Sequence, residues 1–189
     1  MTSPPTPSQT VGPFFHIGVD DGFIGPELVP RDHPDAVLLF GTVTDGEGVP
    51  VNDSMIEIWQ ANPAGRYAHP EDTREELPLT EGFDGFGRTV TNDEGRYELV
   101  TLKPGPVPGP NGQAQAPHID VSVFARGLLK RLVTRIYFPD EAEANEADPV
   151  LSSVADPEAR SGLVAVEEAG GLRFDITLQG DRETTFFAV

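Results

Sequence analysis

Apolar and polar residues alternate along several short stretches of this chain, and each stretch ends at residues that favour turns. The clearest stretch is AVLLFGTVTD, Ala36–Asp45, which ends in the turn sequence DGEG. A side-chain period of two is typical of a strand that is buried on one face. The pattern predicts further strands at Ser54–Gln60, Arg88–Thr91, Arg96–Leu102, Pro117–Ala125, Lys130–Phe138 and Leu172–Gln179, and an edge strand at Glu183–Phe187.

Helical periodicity is confined to the region between Asp140 and Val166, where prolines interrupt an Ala- and Glu-rich sequence. Only short helical turns are expected there, because proline breaks a longer helix. The stretch from Ala61 to Phe86 carries Pro, Gly and charge with little periodicity, so we expect an irregular excursion packed against the sheets. Short alternating strands separated by turns predict an all-β fold, an antiparallel β-sandwich.

The length of 189 residues fits one domain with a single core. Residues 1–35 are rich in Pro, Gly and Asp, with Phe14, Phe15 and Phe23 among them. Aromatic side chains in such a segment indicate that it drapes over a core or a partner. We therefore divide the chain into an N-terminal arm, 1–35, that contributes to a subunit interface and a partner's pocket, and a β-sandwich domain, 36–189.

The formal charge is −18, which disfavours nucleic acids and anionic membranes as partners. Four basic residues nevertheless lie within ten positions, in a stretch from Val121 to Pro139 that has no acid: Arg126, Lys130, Arg131 and Arg135. Either they pair with carboxylates on neighbouring strands, or they form a site for a small anion. The chain has no cysteine and no signal-peptide pattern at its start, which fits the cytoplasm.

His118 and Asp120 lie two apart on a predicted strand, so both side chains face one side and supply half of a metal site. An iron(II) site of two histidines and a carboxylate, in its usual β-barrel form, needs a later histidine, but His118 is the last in the chain. The other histidines, His16, His33 and His69, show no zinc spacing. Nucleophile-elbow and phosphate-loop motifs are also absent from the sequence.

Four motifs in this order, WQANPAGRY, GRTVTNDEGRYELVTLKPGPVP, APHIDVSVFARG and LVTRIYF, resemble the intradiol ring-cleaving dioxygenases. That family holds Fe(III) with two tyrosines, in GRY and KPGPY, and two histidines, in His-x-His. By this resemblance, Tyr67 and His118 match ligands, whereas Val107 and Asp120 replace the other two. The resemblance therefore implies vestigial ligand positions, with no metal and no catalytic residue in this chain.

The resemblance further implies an α-type chain that packs on an Fe(III)-binding β chain in a higher (αβ)n oligomer. Together the chains would cleave a small aromatic acid, protocatechuate, with O₂ to 3-carboxy-cis,cis-muconate. The residues implied to complete the β chain's substrate pocket are Thr10, Gly12, Pro13 and Arg126. Arg126 lies eight residues beyond His118, about 27 Å along an extended strand, so it cannot serve the vestigial site. An arginine outside that site suits an anionic substrate bound elsewhere.

Taken residue by residue, the vestigial positions have plainer interpretations. Tyr67 is expected to hydrogen-bond to the strand face, His118 to be a satisfied buried polar residue, and Asp120 to accept hydrogen bonds. The alternative function is a transthyretin-like β-sandwich module that binds without catalysis, because GTVTDGEGVPV and NDEGRYEL also occur in such modules.

Overall fold

The computed structural model describes residues 7–12, 18, 24–109 and 112–188. Within them the chain forms short strands and a few helical turns, as the sequence predicts. The strands are β1 (Ala36–Thr44), β2 (Met55–Trp59), β3 (Phe86–Val90), β4 (Arg96–Leu102), β5 (Val107–Pro108), β6 (Ala114–Gln115), β7 (His118–Phe124), β8 (Leu132–Tyr137), β9 (Val166–Glu168), β10 (Gly171–Arg173) and β11 (Ile176–Thr177). The helices are α1 (Ala142–Ala147), a 3₁₀ turn (Leu151–Ser153) and α2 (Pro157–Ser161).

The strands form two main sheets and a small hairpin. In the first sheet β1 pairs antiparallel with β4 and parallel with both β10 and β11, while β9 pairs with β10. The second sheet has the order β3-β2-β7-β8, with every pair antiparallel. The hairpin joins β5 and β6. The predicted all-β sandwich is confirmed, and the parallel pairings of β1 are the departure from a purely antiparallel arrangement, because the chain returns to β1 only after the connection through α1 and α2.

The core lies between the inner faces of the two sheets. It is built from alternate strand residues, which include Ile56, Ile58, Val121, Val123 and Leu99. Each fully buried aliphatic side chain of this kind stabilises the fold by about 1.5–3 kcal/mol. Because successive strand residues face opposite sides, burying these residues places the residues between them on the outer face of the second sheet.

An irregular segment, 61–85, covers that outer face, as predicted. Asn62, which is buried, organises its first turn: its Oδ1 accepts the Ala64 and Arg66 N–H groups at 3.0 and 2.9 Å. Its Nδ2 donates to the Pro78 carbonyl at 2.8 Å and so ties the start of the segment to Pro78. Side-chain hydrogen bonds here take the place of a backbone ladder.

The predicted strand Leu172–Gln179 is broken between β10 and β11. At the break the Asp175 carboxylate, rather than a backbone carbonyl, accepts the Thr42 N–H at 3.0 Å. The Phe174 carbonyl lies so close to β1 that a Cβ atom on Gly41 would stand 1.9 Å from its oxygen. Glycine is therefore required at position 41, and the close approach of two backbones replaces regular pairing.

The predicted edge strand Glu183–Phe187 is wrong. The segment makes isolated backbone hydrogen bonds, from the Thr184 N–H to Thr177 O at 2.9 Å and from the Phe187 N–H to Val133 O at 2.8 Å. Thr177 belongs to the first sheet and Val133 to the second, so the segment crosses between the sheets and cannot extend either ladder.

The second half of the N-terminal arm packs along the edges of both sheets. The Leu28 N–H donates to Val100 O at 2.8 Å, and the Arg88 N–H donates to Gly25 O at 3.1 Å. Val29 is buried against Phe83. Phe14, Phe15 and Phe23 lie outside the described residues. No helix in the described ranges is both long and apolar enough to cross a bilayer.

Candidate functional site

A cavity of about 680 Å³ opens on the outer face of the second sheet, a volume typical of small-molecule sites. Strands β2 and β7 form its floor, where Trp59 lies opposite Asp120 and Glu57 lies opposite Ser122 in the strand register. The irregular segment 61–85 supplies one wall, including Tyr67. Pro108 of the β5–β6 hairpin also lines the cavity.

Aromatic rings form one side of the cavity. Trp59 stacks on Tyr67 with ring centroids 5.8 Å apart and an interplanar angle of 14°. Phe86 and His69 flank the indole at centroid distances of 6.4 and 6.3 Å. The Tyr67 hydroxyl has no hydrogen-bond partner in the described part of the chain, so the predicted hydrogen bond to the strand face is wrong. Burial, and then the negative charge of Asp120, raise the pKa of Tyr67 to about 12, so the phenol is neutral at pH 7.

His118 is buried at the start of β7, with 4% of its surface exposed. Its Nδ1 lies 2.7 Å from the Ala116 carbonyl, which accepts only, so Nδ1 carries the proton. Burial, followed by the charge of Arg135, lowers the pKa of His118 and keeps the ring neutral. Its Nε2 has no hydrogen-bond partner among the described residues and lies 3.9 Å from Asp120 Oδ2. The prediction of a satisfied buried histidine is therefore right for Nδ1 and wrong for Nε2.

Asp120 accepts a hydrogen bond, as predicted, and the donor is the guanidinium of Arg135. Arg135 is directly opposite Asp120 in the β7–β8 register, and Nε lies 2.9 Å from Oδ1. The same guanidinium donates through Nη1 to Gln115 Oε1 at 2.7 Å. A fixed positive charge thus occupies the vestigial site, partly buried with 17% of the Arg135 side chain exposed.

The residues at the four ligand positions, Tyr67, Val107, His118 and Asp120, do not fit a ferric ion. Val107 is buried in β5 and has no donor atom, while Asp120 is already bound to a cation. Only Tyr67 and His118 keep a side chain of the kind that holds a ferric ion in this family. Across the described residues, no three His, Cys, Asp or Glu side chains are grouped so as to hold a metal.

Asp148 is a residue of this site that the sequence analysis missed. It is fully buried and accepts the N–H groups of Ala116 at 2.8 Å and Leu151 at 2.7 Å, and the hydroxyl of Tyr137 at 3.1 Å. It thereby fixes the backbone that leads into His118. An aspartate before proline, at the end of a helical turn, is a signal for such side-chain-to-backbone bonding, but the sequence does not show its distant partners.

Two other carboxylates of the cavity, Glu57 and Asp72, also have arginine partners. Glu57 Oε1 accepts from Arg88 Nη2 at 2.6 Å, and Asp72 Oδ1 accepts from Arg74 Nε at 2.8 Å. The hydrogen bonds from Arg74 hold the pKa of Asp72 well below its usual range. Asp72 also accepts the Tyr67 N–H at 2.8 Å, which positions the wall of the cavity.

The sequence allowed two roles for the basic residues between Val121 and Pro139, which were pairing with a carboxylate and forming a site for a small anion. The structure contains both paired and unpaired residues. Arg126 and Arg135 are paired, with Arg126 Nη1 3.3 Å from Asp53 Oδ2. Lys130 and Arg131 are exposed and have no ion-pair partner within the ranges that the structure covers. Arg131 lines the cavity.

Two of the residues implied to complete a partner's pocket lie side by side. The Gly127 N–H donates to Thr10 Oγ1 at 2.7 Å, which places Thr10 beside Arg126, just beyond the end of β7. The Arg126 side chain is 67% exposed and does not line the cavity. Gly12 is exposed with open space where a Cβ would lie, and Pro13 lies outside the described residues.

Comparisons with known proteins agree with this architecture. A family model described as "Dioxygenase" matches residues 30–180. The protocatechuate 3,4-dioxygenase α chain of Pseudomonas putida is 43% identical over 97% of this chain and 96% of its own length. The β chain of that enzyme from Burkholderia cepacia is 41% identical over 76% of this chain and 64% of its own. Among solved structures, the dioxygenase domain of a carbohydrate-binding fusion protein from Streptomyces sp. SirexAA-E aligns with a TM-score of 0.58 at 27% identity, covering 94% of this chain and 99% of that one. Because the family model matches about four fifths of its length and its fold is shared with a solved dioxygenase domain, this chain belongs to the intradiol dioxygenase family.

Proposed function

We propose that this chain is the α subunit of a protocatechuate 3,4-dioxygenase, an oxidoreductase of aromatic catabolism. It packs on an iron-binding β chain and completes the pocket in which O₂ opens the ring of protocatechuate between its two hydroxylated carbons. The observation that carries this proposal is the match to α chains over nearly the full length of both sequences, at 43 and 42% identity. No observation favours the alternative of a transthyretin-like binding module.

The residues of the vestigial site are the reason why we assign the iron to the other chain. Here Val107 offers no ligand and Arg135 supplies a cation, so we assign the Fe(III) to the partner β chain. The two chain types share a fold, since a β chain is 41% identical to this one. We therefore propose that α and β chains pair with each other and that the pairs form a higher (αβ)n oligomer with closed symmetry.

Arg126 is the residue we propose to meet the substrate carboxylate in that pocket. An exposed ion pair such as Arg126–Asp53 contributes about 0–1 kcal/mol, so the guanidinium is readily redirected to another carboxylate. Arginine forms two parallel hydrogen bonds to a carboxylate, which fixes orientation as well as charge. Thr10 holds the loop beside Arg126, while Gly12 and Pro13 contribute backbone groups and shape.

The N-terminal arm and the loop after β7 are proposed to form part of an obligate interface with the β chain. Leu129, in this loop, has 62% of its surface exposed, so its apolar side chain is available for burial by a β chain. The arm carries the aromatic residues that such a contact would bury. The cytoplasmic location remains a prediction.

Substitution of Arg126 tests the proposed pocket contact. Charge-assisted hydrogen bonds contribute about 1.5–3 kcal/mol, so Arg126→Ala in the αβ complex should lower kcat/KM for protocatechuate about ten- to a hundredfold. Catechol, which lacks the carboxylate, should lose much less. Lys130→Ala is the matched control, because Lys130 is a nearby exposed cation and should leave both substrates unaffected. Equal losses for the two substrates at equal iron occupancy, or no loss for either, would remove Arg126 from the pocket.

A further inference from the structure

The cavity on the outer face of the second sheet retains the features of a binding site even though its residues do not fit a metal. One side is the Trp59–Tyr67 stack, which offers a flat apolar surface for a planar ring. Tyr67 and Ser122 line the cavity, and neither hydroxyl has a hydrogen-bond partner in the described part of the chain. An aromatic ring with a polar substituent would use both kinds of surface.

Among the charged residues that line the cavity, one arginine remains available to a negatively charged substituent. Three of its four carboxylates are bound by arginines, in the pairs Glu57–Arg88, Asp72–Arg74 and Asp120–Arg135. The fourth, Glu71, is exposed on the loop beside His69. Arg131 lines the cavity and has no ion-pair partner in the residues described, so it is available to a ligand anion.

We propose that this cavity is a binding site for a small aromatic carboxylate, with the ring on Trp59 and Tyr67 and the carboxylate on Arg131. The site belongs to this chain and works without a metal ion. This inference goes beyond the proposed function, which needs only the pocket contribution of Thr10 and Arg126. A ligand of about nine heavy atoms, such as benzoate, should bind with a Kd on the order of 0.1–1 mM.

Trp59 provides a direct readout, because it is the single tryptophan of the chain and lines the cavity. The full chain is titrated with benzoate while the indole fluorescence is followed, with benzyl alcohol as the uncharged probe and benzylamine as the cationic one. We expect a saturable change with benzoate, one benzoate per chain in equilibrium dialysis, and at least tenfold weaker binding of the other two probes. No saturable binding of benzoate, or equal binding of benzyl alcohol, would overturn the proposal, and tighter binding of benzylamine would assign the site to cations instead.

Matched variants locate the binding. Arg131→Gln should weaken benzoate about tenfold, whereas Lys130→Gln removes the neighbouring exposed cation and should have no effect. Ser122→Phe fills the cavity and should abolish binding while the circular dichroism spectrum stays native. Equal effects of the two cation variants, or benzoate binding that survives Ser122→Phe, would place the ligand elsewhere and refute the proposal.

The same dialysis is repeated on the complex co-expressed with the β chain. Benzoate that still binds to the Ser122→Phe complex is subtracted, so that only binding in this cavity is counted. We expect one such benzoate per α chain there as well, and its absence from both preparations would refute the site. The result of this test is independent of the proposed function, as two outcomes show. Arg126→Ala should leave benzoate binding to the isolated chain unchanged, and failure of the cavity to bind benzoate leaves the loss of protocatechuate turnover in Arg126→Ala as expected.

Discussion

The ion pair between Asp120 and Arg135 should stabilise this chain more than any exposed ion pair does. Removing the guanidinium by Arg135→Met leaves the Asp120 carboxylate and the Gln115 amide without their donors. The Nε–Oδ1 distance is 2.9 Å, and the two side chains are 17 and 32% exposed, so the lost bonds are charge-assisted and only partly replaced by water.

The magnitude follows from that geometry. Complete burial of such a pair would make loss of one partner cost about 3–5 kcal/mol, and the partial exposure here lowers the expected cost of Arg135→Met to about 2–3 kcal/mol. Asp120→Asn together with Arg135→Met removes both charges and should recover most of the loss. The coupling energy from the four variants should therefore be about 2 kcal/mol.

Urea unfolding, followed by Trp59 fluorescence and circular dichroism, measures this double-mutant cycle. The control cycle uses Asp53 and Arg126, whose pair is 3.3 Å long with 67% of the arginine exposed, and its coupling should be about 0.5 kcal/mol or less. Similar coupling energies in the two cycles would show that Arg135 is not the internal cation of the vestigial site.

Two predictions concern pH. The three tyrosines all have pKa values raised by burial, Tyr67 to about 12 and Tyr97 and Tyr137 also upward, so absorbance at alkaline pH should show no tyrosinate near pH 10 while the fold persists. Because their pKa values are raised in the folded state, the three tyrosines contribute to the free energy of unfolding below pH 10, and this contribution is lost as the pH rises above it. A phenol that titrates at its ordinary pKa in the native protein would contradict the burial of the three rings. The pKa of Asp72 is lowered by Arg74, so its contribution is present above about pH 4 and is lost as the pH falls. Asp72→Asn should therefore destabilise the protein by about 1–3 kcal/mol at pH 7, with a cost that begins to fall below about pH 4 and disappears only at strongly acid pH. A cost that does not change with pH over this range would mean that the ion pair is not the cause.

The sequence predicted the fold well where burial on one face controls the pattern. The alternation in β2 and β7 follows from a core on one side, and the same rule correctly placed His118 and Asp120 on one face of β7. The local pattern of apolar and polar residues did not predict the break at Phe174. The break depends on the close approach of Gly41, which lies in a strand far away in the sequence. The segment 183–187 alternates like a strand but bonds to both sheets.

The vestigial site was predicted only in part for a similar reason. The motifs identified Tyr67 and His118 as remnants and Val107 and Asp120 as replacements. They did not show that Arg135 lies opposite Asp120, because strand register is a long-range property of the fold. Nor did they show the stacking of Tyr67 on Trp59, which depends on how the irregular segment 61–85 is folded.

Iron content and ring-cleavage activity, measured on this chain, on the β chain and on their complex, test the assignment of the Fe(III) to the β chain most directly. We expect close to no iron and no ring cleavage for this chain alone, iron in proportion to the β chain in the complex, and turnover of protocatechuate that depends on both chains. About one tightly held iron per isolated chain, with a visible tyrosinate-to-iron absorption band, would contradict it.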